Sequence, residues 1–153
     1  MKIKIVNTAK AIIFDGDSIL LIRKEYEDGR ILYTLPGGSQ NPGETLRETL
    51  IREMREETAA TVAIIDLVKV YEHQQISKSD PELIKHKVEF AFHCQIEGVY
   101  SPTMGPHPDP HQTDVAWINK KILSTLNLYP RELENVLLHK VLPDTDNYLG
   151  KVD

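Results

Sequence analysis

"LPGGSQNPGETLRETLIREMREETAA", residues 35–60, sets five glutamates behind two glycines and a Pro-Gly turn. Pro36-Gly37-Gly38 ends a short apolar stretch, and paired glycines let the backbone bend where other residues cannot follow. Asn41-Pro42-Gly43 makes a second turn. Thr45 is a good N-cap, and Glu48 three residues on completes a capping box. The spacing predicts a helix from about Leu46 to Thr58. On a helical wheel at about 100° per residue, Leu46, Leu50 and Met54 share one stripe that faces a core. Glu53 and Glu57 stack one turn apart, and Glu56 is their neighbour. Their carboxylates sit beside the apolar stripe, not opposite it.

Like charges four apart on a helix repel, and more strongly when half buried. Arg52 can offset part of that repulsion, and a divalent cation would offset more. Hard Mg²⁺ takes oxygen ligands, usually one or two carboxylates with waters and substrate phosphates. Taken alone, the segment also reads as a solvated acidic helix, since glutamate is a good helix former.

The rest of the chain narrows the choice. Its 153 residues suffice for one domain with a real core. Hydrophobic content of 41% and charged content of 27% are those of a soluble globular protein. The net charge is −5 and there is no basic run, which argues against polymeric nucleic acid as a partner. A small anionic ligand remains possible where a bound cation offsets charge. The single cysteine, Cys94, falls among alternating apolar residues and reads as a small core hydrophobe. No apolar run is long enough to span a bilayer, and the N-terminus has no signal-peptide core. A soluble, cytoplasmic protein with no membrane partner is expected.

Upstream of the acidic segment, strands are expected at Ala9–Phe14 and Ser18–Tyr26, joined by Asp15-Gly16-Asp17, with a short strand at 31–35. Downstream, Thr61–Glu72 reads as a strand, 73–85 as a polar loop, and Lys87–Ile96 as the cleanest alternating strand. Residues 98–113 carry four prolines and read as a loop, followed by a strand at Asp114–Asn119. Pro130 suits the first position of a helix running from Arg131 to Val141. A loose tail is expected from about residue 143.

Read from Gly38, the acidic segment has Glu44 after five residues and, after seven more, Arg52-Glu53-Met54-Arg55-Glu56-Glu57. This resembles the Nudix box, G-x5-E-x7-R-E-U-x-E-E-x-G-U with U aliphatic. Gly38, Glu44, Arg52, Glu53, Met54, Glu56 and Glu57 match, seven of nine specified positions and every charged one. Ala59 stands where the family has glycine, and Ala60 is a weak match for the last aliphatic position. The glycine would end the helix in a left-handed turn; Ala59 either takes that turn at a cost of about 1 kcal/mol or shifts it by a residue. The stretch from His111 to Leu138 also resembles the C-terminal part of small bacterial-type members.

The resemblance implies a single Nudix hydrolase domain over 1–153, with its box at 38–60, as in small MutT-like members. Its α/β (α+β) fold would be a mixed β-sheet sandwiched between helices. It implies a pyrophosphohydrolase that cleaves a nucleoside diphosphate linked to another group with Mg²⁺, or Mn²⁺ in its place. Glu53 and Glu57 would be the principal metal ligands, with Glu56 and the carbonyl of Gly37 or Gly38 adding to them. Arg52 would orient the carboxylates, and Glu44 would support the loop or a metal-bound water. Glu53 or Glu56 is the favoured general base. Asp109, Asp114, His107 and His111 on the late loop, and Glu89 on its strand, are the other candidates. His107 and His111 also raise zinc, but the ligand count is short. Arg23, Gln112 and Trp117 are candidate substrate contacts, although Trp117 also reads as core.

ADP-ribose, modified nucleoside triphosphates, dinucleoside polyphosphates and nucleotide sugars all remain open as substrates. The proline that marks relatives specific for ADP-ribose is absent or shifted, since the next one after the box is Pro81. The alternative is a catalytically weak domain that binds and senses nucleotides. A homodimer through the N-terminal hairpin is possible.

Overall fold

The computed structural model describes residues 1–139 and 147–153. Eight strands form one mixed sheet around a central pair. Strand β1 (Lys2–Asp15) runs parallel to β6 (Leu83–Ile96), and β6 is antiparallel to β5 (Val62–Ile76). On the other side, β1 turns into β2 (Ser18–Glu25), which also pairs β3 (Ile31–Thr34) and β7 (Gln112–Asn119). The short β4 (Gly37–Ser39) adds to β1, and β8 (Tyr148–Lys151) adds to β5.

Alternation on these strands buries both faces. Ile12, Ile19 and Leu21 enter one core cluster, while Ala11, Ile13, Leu20 and Ile22 enter the other. The helix α1 (Leu46–Thr58) covers the second cluster with Leu50 and Met54, both fully buried. Leu123, Leu133 and Leu137 close the first. They come from two 3-10 turns and the short helix α2 (Glu134–Leu138). Two sheet faces, each covered by helical segments, give the expected mixed α/β sandwich.

The helix α1 begins as expected: Thr45 Oγ1 accepts from Glu48 N–H, and Glu48 accepts from Thr45 N–H. It ends at Ala59, which takes the left-handed conformation at φ 57°. The turn has therefore not moved, and the alanine bears the strain that glycine would avoid.

Four boundaries differ from expectation. Strand β1 starts at Lys2, not Ala9, because its first residues pair with β6 although most of their side chains are exposed. The expected loop at 73–85 shrinks to 77–82, since β5 and β6 extend through it as paired strands. These strand ends are largely exposed, so their side chains lack the apolar alternation of a half-buried strand. The expected helix from Arg131 opens as a 3-10 turn; Pro130 precedes that turn, and the helix proper ends at Leu138. Val141 lies outside the described residues. The expected tail is not loose at its end: β8 pairs β5, and Val152 is buried. Among the described residues no helix is long and apolar enough to cross a membrane.

Candidate active site

Strand β4 lies between β1 and the second half of α1, where only glycine fits. Gly37 has φ +138°, and a Cβ there would stand 2.0 Å from Ala9 O. A Cβ on Gly38 would stand 2.5 Å from the carboxyl carbon of Glu53. The backbone is thus held directly against the carboxylates of α1. The N–H of Gly37 donates to Glu57 Oε1 at 2.8 Å.

Arg52 organises the other acids. Its Nε donates to Glu44 Oε2 at 2.7 Å and its Nη2 to Glu44 Oε1 at 3.0 Å, a two-point grip. Its Nη1 donates to Glu53 Oε1 at 2.9 Å and to Glu56 Oε2 at 3.2 Å. Its Nη2 also donates to Ser39 O at 3.0 Å, which ties the helix to the end of β4. The Arg52 hydrogen bonds, followed by the Asn41 N–H, hold the Glu44 carboxyl down at about 2. One guanidinium therefore fixes three of the four acids that the box pattern contributes.

Glu57 is the exception. It is only 5% exposed, and among the described residues no side-chain cation hydrogen-bonds it. Burial pushes its carboxyl up to about 7, against the pull of Lys10 and the Gly37 N–H. Burial also raises Glu53, opposed by Arg52. A carboxylate kept from water without a full counterion is the donor type that a hard cation satisfies.

Three lysines line the same cleft with Glu53 and Glu57: Lys10 of β1, Lys24 of β2 and Lys87 of β6. Burial and the charge of Lys10 lower Lys24, and they bring Lys87 down to about 8. Lysines crowded until they titrate low are poised for a polyanion. Sequence reasoning missed all three. The available signal was Lys10, a lone cation in the otherwise apolar run Thr8–Phe14.

The proline-rich loop before β7 is clamped onto the end of α1. Gly105 N–H donates to Glu57 O, His107 N–H to Glu56 O, and Gln112 Nε2 to Glu57 O. These bonds occupy carbonyls left open at the helix terminus. They bring His107 and Asp109 to the cleft, where Asp109 pairs Lys24 at 3.5 Å. His111 instead stacks on Tyr26 at 4.5 Å, and Asp114 Oδ1 accepts from Val115 N–H. Of the two histidines of the zinc idea, His107 borders the cleft and His111 does not. Glu89 is not on a solvated face; it is buried and accepts from His73 Nε2 at 2.8 Å.

Three expected substrate contacts do not reach the carboxylate cleft. Gln112 is buried as a cap of α1. Arg23 donates to Thr113 Oγ1 and Glu25. Trp117 packs on the core cluster beneath α1 and borders a separate hollow near Phe14 and Tyr100. Cys94 is buried in that same cluster, which pushes its thiol up to about 12.

No three His, Cys, Asp or Glu side chains among the described residues converge into a ready metal cage. The donor set still fits Mg²⁺, which needs only one or two carboxylates beside waters and phosphates. Glu53 and Glu57 would supply those from α1, and Gly37 of β4 borders the same cleft.

A sequence model of the NUDIX domain matches residues 4–137. The chain belongs to the Nudix family. A protein of Caenorhabditis elegans carrying the nudix hydrolase name is 28% identical over 109 residues, covering 71% of this chain and 26% of the relative. The ADP-ribose pyrophosphatase of Methanocaldococcus jannaschii is 31% identical over 87 residues, covering 57% of this chain and 48% of the relative. The matches thus span about a quarter and about half of these relatives' own lengths. A NUDIX hydrolase from Nitrosomonas europaea has the same fold, with TM-score 0.69 at 21% identity, over 92% of this chain and 93% of that one.

Proposed function

We propose that the chain is a pyrophosphohydrolase that cleaves a nucleoside diphosphate linked to another group, with Mg²⁺ or Mn²⁺ as cofactor. The observation that carries this reading is the Arg52 network. It holds Glu44, Glu53 and Glu56 in fixed positions beside a buried, under-compensated Glu57. Glu53 and Glu57 would hold the metal, with Glu56 and a glycine carbonyl of β4 completing the set. Bound there, a divalent cation neutralises pyrophosphate oxygens and so lowers the barrier to attack at phosphorus.

The chain's own groups account for the rest. Lys10, Lys24 and Lys87 face the negative charge of a diphosphate from the wall opposite α1. Arg52 and Glu44 act as positioning residues, since their contacts are to the carboxylates and to Ser39 O. Glu53 or Glu56 takes the proton of the attacking water, and Asp109 is the loop residue placed to substitute. The similarity to the ADP-ribose pyrophosphatase of Methanocaldococcus jannaschii supports a small nucleotide as substrate.

The test is a product-release screen of nucleoside triphosphates, ADP-ribose, nucleotide sugars and dinucleoside polyphosphates. Each is run with Mg²⁺, with Mn²⁺ and with chelator. Metal-dependent cleavage of at least one compound supports the proposal. Nucleotide binding without cleavage of any would turn the reading toward a sensing module.

A further inference from the structure

A second cavity of about 540 Å³ lies beyond one end of the carboxylate cleft, between the first half of β1 and the turn that leads into α1. It shares Ser39 with the cleft and is lined by Lys4, Ile5 and Asn7 of β1, Asn41 of the turn and Lys85 of β6. Among the described residues Glu44 is the only acid on its wall. Both Glu44 oxygens are already taken, by Arg52, the Asn41 N–H and the Thr49 hydroxyl. Lys4 and Lys85 make no ion pair among the described residues. Two unpaired cations with no free carboxylate beside them select an anion.

The backbone adds a donor. Strand β4 pairs β1 only at Thr8–Lys10, and Gln40 N–H then donates to Asn7 O. Lys2 N–H donates to Glu82 O, so even-numbered residues here turn their peptide groups toward β6. By alternation Ile5 turns its N–H to the open edge, where no strand pairs it.

One face of the sheet joins this cavity to the cleft. In the parallel register Lys4 stands beside Lys85, Val6 beside Lys87 and Thr8 beside Glu89. Lys85 is near enough to Lys87 to help lower its amine. Thr8 lines the cleft and is buried, and its Oγ1 has no hydrogen-bond partner. Buried polar atoms are rarely left orphaned, so a ligand passing over Thr8 supplies the missing partner. Gly38, packed against Glu53, pairs Ala9, five residues along β1 from Lys4. At about 3.3 Å per residue, and allowing for the reach of the lysines, an anion held there lies on the order of 10–15 Å from the metal carboxylates.

We propose that this cavity is an anion subsite for the group attached to the diphosphate, so that the chain prefers substrates whose attached group carries further phosphate. Lys4, Lys85 and the Ile5 N–H hold that phosphate, and Thr8 Oγ1 donates to the stretch between it and the cleft. A diphosphate linked to a neutral sugar leaves these donors without a partner. The inference rests on the hydrolase reading only for which bond is cut.

The test is equilibrium binding of ADP and adenosine 5′-tetraphosphate by calorimetry without metal, beside turnover of adenosine 5′-tetraphosphate and ADP-ribose with Mg²⁺. The Lys4→Gln/Lys85→Gln variant is compared with the wild type and with Lys121→Gln/Lys151→Gln, which removes equal charge away from the cavity. The wild type should bind the tetraphosphate at least about tenfold tighter than ADP, and the cavity variant should bring that ratio within about threefold. Its KM for the tetraphosphate should rise several-fold more than its KM for ADP-ribose. Either single substitution carries the test if the double variant misfolds. An equal loss for ADP and the tetraphosphate, or a loss no greater than in the control variant, would overturn the subsite even if both substrates are cleaved. A selective loss of tetraphosphate affinity without turnover of either compound would uphold the subsite and sink the hydrolase reading.

Discussion

Replacing Glu57 with glutamine should stabilise the metal-free protein, by an amount that grows from about pH 4.5 and is complete above about pH 7. Glu57 is buried, and its carboxyl rises from an ordinary 4.5 to about 7 on folding. A group whose folded pKa is raised keeps its proton on folding. Its neutral form contributes full stability below about 4.5, and that contribution is lost as pH rises through 7. The gap corresponds to about 3 kcal/mol of penalty for the ionised form above pH 7. Glutamine keeps an oxygen for the Gly37 N–H and carries no charge. Urea unfolding with chelator at pH 4.5 and pH 8 measures the difference. The variant should match the wild type at the lower pH and exceed it by about 2–3 kcal/mol at the higher. Mg²⁺ at about a thousand times its Kd should reverse the order, since it then adds about 4.1 kcal/mol to the protein that binds it. A variant less stable than the wild type at pH 8, or a gain equal at both values, would refute the reasoning.

Other substitutions test neighbouring parts of the account. Ala59→Gly should raise stability by about 1 kcal/mol in urea unfolding, because Ala59 holds φ 57° at an exposed helix end. Thr45→Ala should cost about 1 kcal/mol by removing the cap on Glu48 N–H. Gly38→Ala should lower turnover sharply with a smaller loss in Tm, because the new Cβ displaces the Glu53 carboxylate. Gly105→Ala should detach the proline-rich loop from α1, since a Cβ there stands 2.3 Å from Glu56 O; faster amide exchange of Gln112 would report it.

How much of this was legible depends on how local each feature is. The cap at Thr45, the stripe of Leu50 and Met54, and the Arg52–Glu53–Glu56 spacing all follow from one helix's period. Each appears in the structure where the sequence puts it. The lysine wall and the second cavity are not local. Thr8 faces Glu89 and Val6 faces Lys87 only through the parallel register of β1 and β6, while His73 faces Lys87 through β5. No period in a single strand states that register. Residues 73–85 read as a loop because the ends of β5 and β6 are largely exposed and lack the apolar alternation that announces a strand. Glu89 reads from the sequence as one of several candidate bases, whereas its burial and its bond to His73 follow from strand pairing.

The most direct test of the central claim is the rate of nucleotide cleavage against Mg²⁺ concentration, on the best substrate, for the wild type and Glu57→Gln at pH 8. The account predicts saturable dependence on the metal in the wild type and a rate lower by at least about a hundredfold in the variant, with its fold intact. Equal rates in the two proteins, or cleavage that persists in chelator, would contradict it.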